Sequence, residues 1–502
     1  MQSKKICALI LAILLNSCTT QTITGQNSNT NIKKPEPTPT QTNSNNSSTN
    51  QKPNPIINQE PIVISPNPTP TPAQIVLTPF PTIIPTIVPT PIPTASPPDK
   101  TFTLTAQELK EVTDSGIVTA NNKFGVNLFL DLVKEQKNEN IFISPASVAL
   151  ALQMTYNGAD QETKTEMAKA LEVSGLSLDN VNNLSKLLIK KLNNPAPDVQ
   201  LKVANSLWGG KGRITFKDEF KNNLINFYGA TSKELDFSDS KSLDIINQWA
   251  SDNTNEKIPK VIDEIPPEII TYLMNAIYFK ANWTTKFKTE NTLKDSDFNL
   301  SDGTKKKHPL MSDFRSFRYI NYSYDTETKT QVLPENQFEG AELTYGKDGK
   351  VSLFLFLPNE KSSLEKFYSN LNNENLEKWL KRFYYAEGRV SFPKFKLKYK
   401  KQLKENLKSL GMVSAFNDSA NFTKMGTSPL GNIFISFVSH DTFVDVNEEG
   451  TEAAAVTVVG GGAASSPPPT RFVADRPFFY LIRDNETKSI LFMGAVNNPE
   501  HE

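Results

Sequence analysis

The segment N-E-E-G-T-E-A-A-A-V-T, Asn447 to Thr457, is the most informative in this chain of 502 residues. Gly450 lacks a Cβ and can act as a pivot. Beyond it, Thr451 to Val459 are small or β-branched apart from Glu452, with no proline to block a sheet ladder. At a period of two, Thr451, Ala453, Ala455, Thr457 and Val459 share one face and Glu452 falls on the other. The first face is suited to a core and the second to water. Read by itself, the run is equally an edge strand of small residues. It leads into Val458 to Pro469, a loop rich in glycine, alanine, serine and proline. A pivot, a sheet-compatible run and a loop in succession describe a segment built to change conformation.

Other segments set this one in context. Moving outward, they are F-V-S-H-D-T-F-V-D-V-N-E-E-G at Phe437 to Gly450, F-V-A-D-R-P-F at Phe472 to Phe478, and L-F-M-G-A-V-N-N-P at Leu491 to Pro499. Upstream lie N-A-I-Y-F-K-A-N-W at Asn275 to Trp283 and N-I-F-I-S-P-A-S at Asn140 to Ser147. In this order, over roughly Thr105 to Pro499, they resemble the serpins, and Asn447 to Thr457 resembles the reactive-centre hinge of that family. The resemblance implies an α+β fold with large, mostly antiparallel sheets, surrounding helices and an exposed reactive-centre loop at about 448–471.

Composition agrees with a folded domain preceded by something else. Lys plus Arg and Asp plus Glu number 54 each, so net charge gives no reason to expect a nucleic-acid or membrane-surface partner. Of the 34 prolines, 18 lie between Pro35 and Pro98. Lys4 and Lys5 precede ten apolar residues, Ile6 to Leu15, too few to span a bilayer as a helix. Residues 1–17 therefore read as a signal peptide. L-N-S-C at Leu15 to Cys18 resembles a bacterial lipoprotein cleavage site, with Cys18 as the lipidated first residue of the mature chain; ordinary signal cleavage is the alternative. Cys7 would leave with the signal, so the folded domain would hold no cysteine for a disulfide, a thiol nucleophile or a metal.

Residues 18–104 read as a disordered tether: Asn, Ser, Thr and Gln, then proline-threonine pairs that favour extended polyproline II. At ~3.1 Å per residue its limit is roughly 250 Å. Ile83, Ile84, Ile87 and Val88 could instead form a docking strand, against which the interleaved prolines argue. Residues 105–502 are expected to fold as one domain, elongated and with two packed regions, because it exceeds the usual size of a single core.

Within that domain, Phe124, Leu128, Phe129 and Leu132 predict an amphipathic helix, and Ser144-Pro145 opens a second that Gly158 stops. Further helices are expected around Asp179 to Leu192, Leu243 to Asn253 and Tyr399 to Leu410. Strands are expected at Ile269 to Lys280, Val351 to Leu357, Arg389 to Phe395 and Ile433 to Val446.

Signs of catalysis are missing from the sequence. It has no G-x-S-x-G elbow, P-loop or H-E-x-x-H, and its histidines are His308, His440 and His501, none in a catalytic motif. The chain is read as a non-enzyme with no cofactor and no metal. The resemblance gives individual residues a role instead. Ser144, Ser147, Asn275 and His440 match a hydrogen-bonded group across the opening of the central sheet, and Trp283 matches a tryptophan beneath the point where the loop first enters. Glu448, Gly450, Thr451, Glu452, Ala453, Ala454, Ala455, Val456 and Thr457 form the hinge. Counting from Glu448 places the reactive bond at Ala464-Ser465, an alanine that suits a shallow, elastase-type pocket; Val458, Val459 and, last, Arg471 are alternatives.

The implied activity is irreversible suicide inhibition of a serine endopeptidase, or of a cysteine endopeptidase, by a monomer that forms a covalent complex with its target. A non-inhibitory serpin and a surface-tethered adhesion lipoprotein are the rivals. Lys186, Lys190 and Lys191 share a helix and read either as a solvated face or as a polyanion site.

Overall fold

The computed structural model describes residues 103–193, 195–196, 198–451 and 469–501. Cys18, Glu452 to Thr457, Ala464 and Ser465 lie outside the described residues.

A six-stranded mixed sheet forms the centre. Its strands in chain order are β1 (Val199–Gly210), β2 (Thr231–Leu235), β3 (Thr271–Asn282), β4 (Phe395–Gln402), β5 (Phe437–Asn447) and β6 (Gly450–Thr451). Across the sheet they run β4-β5-β6-β3-β1-β2. β1 and β3 are antiparallel over eleven rungs, Val199↔Ala281 to Gly209↔Thr271, and β4 and β5 over eight. A nine-stranded sheet runs from Ile141–Ile143 through Ile490–Val496, Phe478–Asp484, Val351–Pro358, Phe338–Tyr345, Lys305–Tyr322 and Tyr384–Pro393 to Thr470–Val473, with Leu293–Asn299 also on Lys305–Tyr322. Both sheets are largely antiparallel and helices flank them, so the α+β expectation holds.

The helix Pro145–Tyr156 lies behind the central sheet against β1 and β3, and every one of its residues is buried. A helix without a solvated face suits a fully enclosed position, and its polar Ser147, Gln153 and Thr155 side chains are hydrogen-bonded. Ser144 caps it by accepting the amide of Ser147, and Pro145 at the first helical position gives up no useful donor. It packs closely on the helix Ile117–Glu135: a Cβ at Gly125 would lie 2.2 Å from Pro145 Cβ. The opposite face of the sheet has a smaller core of its own, in which Trp208, Tyr272, Met274 and Phe443 meet Ile246 and Ala250 of the helix Ser240–Asn253.

Three expected spans were wrong. β5 begins at Phe437, not at Ile433. Arg389 to Phe395 is not one strand, because Pro393 ends Tyr384–Pro393 in the nine-stranded sheet and Phe395 begins β4 in the central one. Tyr399 to Leu410 is not one helix either. Leu397 and Tyr399 alternate with lysines in β4, and only Lys404–Ser409 is helical.

Candidate functional site

The site is a seam in the central sheet. β5 and β3 run parallel and pair over five rungs, from Phe437↔Tyr272 to Asp441↔Ala276. Above Asp441 they part, and β6 enters between them: Val446↔Thr451 and Asn447↔Gly450 on one side, Thr451↔Ala281 and Gly450↔Asn282 on the other, all antiparallel. Between these two levels, residues 442–445 of β5 and 277–280 of β3 have no partner across the seam among the described residues.

Glycine is required at the turn into the seam. Gly450 has φ 147°, and a Cβ there would sit 2.1 Å from Ala281 O. Thr451 is fully buried, and its hydroxyl shares a 3.0 Å hydrogen bond with that of Tyr345. Trp283 lies under this corner, stacked on Tyr345 with centroids 4.2 Å apart, and its Nε1–H donates to Asn447 O at 2.9 Å.

The main chain of the turn is clamped as well, since Trp283 N donates to Glu449 O and Phe287 N to Glu448 O, both at 2.9 Å. Glu448 is buried and accepts from the Thr292 hydroxyl at 2.7 Å, with Lys394 Nζ 3.0 Å from its other oxygen. Burial pushes this carboxyl up, but Thr292 and Lys394 outweigh that and hold it below the usual carboxylate range. Glu449 pairs with Lys286.

Below, the paired part of the seam is tied to the buried helix. His440 Nε2 accepts the amide of Ser144 at 3.0 Å, which places the ring proton on Nδ1, 3.2 Å from Asn275 Oδ1. Asn275 Nδ2 in turn donates to Ser147 Oγ at 2.5 Å and to Asn205 Oδ1 at 2.8 Å, while Ser144 Oγ donates to Leu491 O. His440 is fully buried, and desolvation drives its pKa down to about 3, so the ring is neutral.

The structure thus brings Ser144, Ser147, Asn275 and His440 into one network and Trp283, Glu448, Gly450 and Thr451 into a second, above it. The contact between His440 and Ser147 runs through Asn275. Tyr345, Thr292, Lys394 and Asn205 were missed. Each reaches the site from a distant part of the chain, and no local pattern marks it.

The three lysines do not form one solvated face. Lys191 is buried, with Nζ 2.6 Å from Glu486 and 3.4 Å from Asp484, and Lys190 pairs with Glu108 at 3.2 Å. Among the described residues no group of three or more His, Cys, Asp or Glu could hold a metal ion.

In this sheet a third strand thus starts antiparallel between the members of a parallel pair. Residues 119–499 match the family described as Serpin (serine protease inhibitor). The chain is similar to the leukocyte elastase inhibitor of Equus caballus, 34% identical over 391 residues that span 76% of this chain and 99% of that protein. An uncharacterized serpin-like protein of Methanosarcina acetivorans is 33% identical over 78% of this chain and 88% of its own length. Among solved structures, the native state of the thermophilic serpin tengpin superposes with a TM-score of 0.67 at 32% identity, covering 79% of this chain and 95% of that one. With the seam, the sheets and these likenesses together, the chain belongs to the serpin family.

Proposed function

We propose that this protein inhibits a serine protease of elastase type, irreversibly, by loop cleavage and insertion into the central sheet. The observation that carries this reading is the start of β6 between β3 and β5, where the first two residues beyond the turn already occupy the lane that a new strand would take. The kinship with leukocyte elastase inhibitors supports the class of target.

Attack by the protease's own nucleophile on the Ala464-Ser465 bond leaves its catalytic residue esterified to Ala464 and the amine of Ser465 as leaving group, on a segment that stays in the nine-stranded sheet through Phe478–Asp484 and Ile490–Val496. The freed hinge then adds as a strand, pairing open backbone groups of β3 and β5. About 15 residues at ~3.3 Å each carry the acyl-enzyme on the order of 50 Å. Deacylation fails once the catalytic geometry is pulled apart, because positioning supplies much of its rate. In this role the chain acts as a monomer without a cofactor. Export, with Cys18 lipidated and residues 18–104 as the spacer, would display the domain at a membrane surface.

The test is incubation with neutrophil or pancreatic elastase followed by a denaturing gel. A covalent complex that survives denaturation is expected. Quantitative cleavage without a complex would make the protein a substrate, and no reaction at all would leave the fold without this function.

A further inference from the structure

The last rung of the seam carries a buried carboxylate. Asp441 pairs with Ala276 at the level where β5 and β3 separate, and it is only 3% exposed. Its Oδ2 accepts a 2.5 Å hydrogen bond from the Ser439 hydroxyl two residues back on the same face. Phe443, two residues on, belongs to the small core on that side of the sheet. A carboxylate with one hydroxyl partner, on the face of the sheet that carries Met274 and Phe443, is a costly group to keep charged. It stands where the first step of opening would return it to water.

We propose that Asp441 is a proton-sensitive positioning residue for loop insertion: ionised, it loosens the last rung and favours opening of the seam, and protonated, it keeps the seam shut. The inference rests on the insertion reading above.

The surroundings set the sign. From β4, Lys400 stands opposite Asp441 in register, with its ammonium turned 4.0 Å from Asp263 Oδ2. From β3 the nearest titratable residue on the same face is Tyr278, two residues beyond Ala276, and Tyr272 lies four rungs away, opposite Phe437. From the connection after the helix Ser240–Asn253 come Asp263 and Lys257, the latter 5.6 Å from the Phe443 ring centre. Burial dominates over the Ser439 hydroxyl and Lys400, so the carboxyl is pushed up to about 6. Opening lets it return toward 3.8. The closed seam therefore holds the proton more tightly than the open one, and acid below about 6 stabilises closure. Behind the sheet, His440 works the other way, since its neutral ring gains a proton when exposed. A test must separate the two.

The register also shows what meets Asp441 if the lane fills. Gly450 faces Asn282 and Thr451 faces Ala281, so each further residue of the hinge steps one residue back along β3. Val456 would arrive between Ala276 and Asp441, an apolar side chain against the carboxyl.

A fluorescent peptide with the sequence of Thr451 to Ala464 serves as probe, and its annealing to the uncleaved full chain is followed from pH 4.5 to 8 in the natural protein and in Asp441→Asn. The ratio of the two rates cancels His440 and every other titration. The natural protein is expected to anneal faster at pH 7.5, and the ratio to fall by up to about tenfold by pH 5. Ser439→Ala, which keeps the carboxyl but removes its donor, should move the midpoint of the natural profile to higher pH. A ratio that does not change with pH would overturn the role of Asp441 while leaving insertion intact. Failure of the peptide to anneal to either protein at any pH would overturn the insertion reading and this inference with it.

Discussion

Thr451 has no room for a charge. Its side chain is fully buried against Tyr345, so Thr451→Arg would force a guanidinium into the lane without a carboxylate to meet it, at a cost of several kcal/mol. Cleavage should persist while the gel-stable protease complex is lost, and an undiminished complex would contradict entry through this position. Glu448 and Lys394 are a second residue-scale test. Both are largely shielded, and a double-mutant cycle of Glu448→Ala and Lys394→Ala in urea should return a coupling of ~1–3 kcal/mol; additive losses would mean that the pair does not clamp the turn. His440 gives a pH signature. Its pKa of about 3 in the fold lies below its unfolded value of 6.5, so its contribution is complete above pH 6.5 and is lost as pH falls toward 3. From pH 7.5 to 5 the stability advantage over His440→Gln should shrink by about 2 kcal/mol in chemical denaturation. Such residues were legible because they lie within contiguous motifs: Trp283 closes N-A-I-Y-F-K-A-N-W, and His440 and Glu448 share one segment. Tyr345, Thr292 and Lys394 were not, since a side chain that approaches from another strand leaves no trace in local spacing.

At the level of elements, strands with an apolar run were legible both in the seam and away from it: Val351–Pro358 lies within one residue of its expected span, while β5 begins at Phe437, four residues after Ile433. β3 is buried on both faces and shows as an apolar run from Tyr272 to Phe279 broken only by Asn275, within two residues of where it was expected. β4 was misread because its alternation of Phe395, Leu397 and Tyr399 with lysines merges into the helical spacing of Leu403 and Leu407, and period alone does not locate the change. The long strand Lys305–Tyr322 escaped notice for a related reason: exposed, polar and apolar positions follow one another irregularly as it passes from one neighbour to the next. The hinge is the element on which the proposed activity turns. Val456→Pro would remove a ladder donor and fix φ at an angle a central strand rejects. The variant should still be cut by elastase, but it should gain much less stability from the cut than the natural protein, as thermal melts would record.

Over the whole molecule, the proposed insertion requires the native fold to be a trap. Among the described residues, the five parallel rungs of β3 and β5 are followed by a stretch without a partner across the seam, and in the proposed mechanism a cut that frees the hinge lets that stretch be filled. Anchorage is a separate property: labelled fatty acid should attach at Cys18, and Cys18→Ser should release the domain from membranes; natural protein found soluble and lipid-free would end that proposal. Insertion makes the stronger demand. If the reactive bond is Ala464-Ser465, elastase should yield a fragment that begins at Ser465, and mass spectrometry of that fragment checks the assignment. The cleaved protein, with one more strand bridging β3 and β5, should then melt well above the intact one, because each new rung pairs groups that have no partner across the seam among the described residues and buries the Thr451 face of the hinge. A cut at Val458, Val459 or Arg471 would change only the specificity. A cut at the expected bond with no rise in melting temperature would mean that the lane between β3 and β5 does not fill, and the mechanism would fall with it.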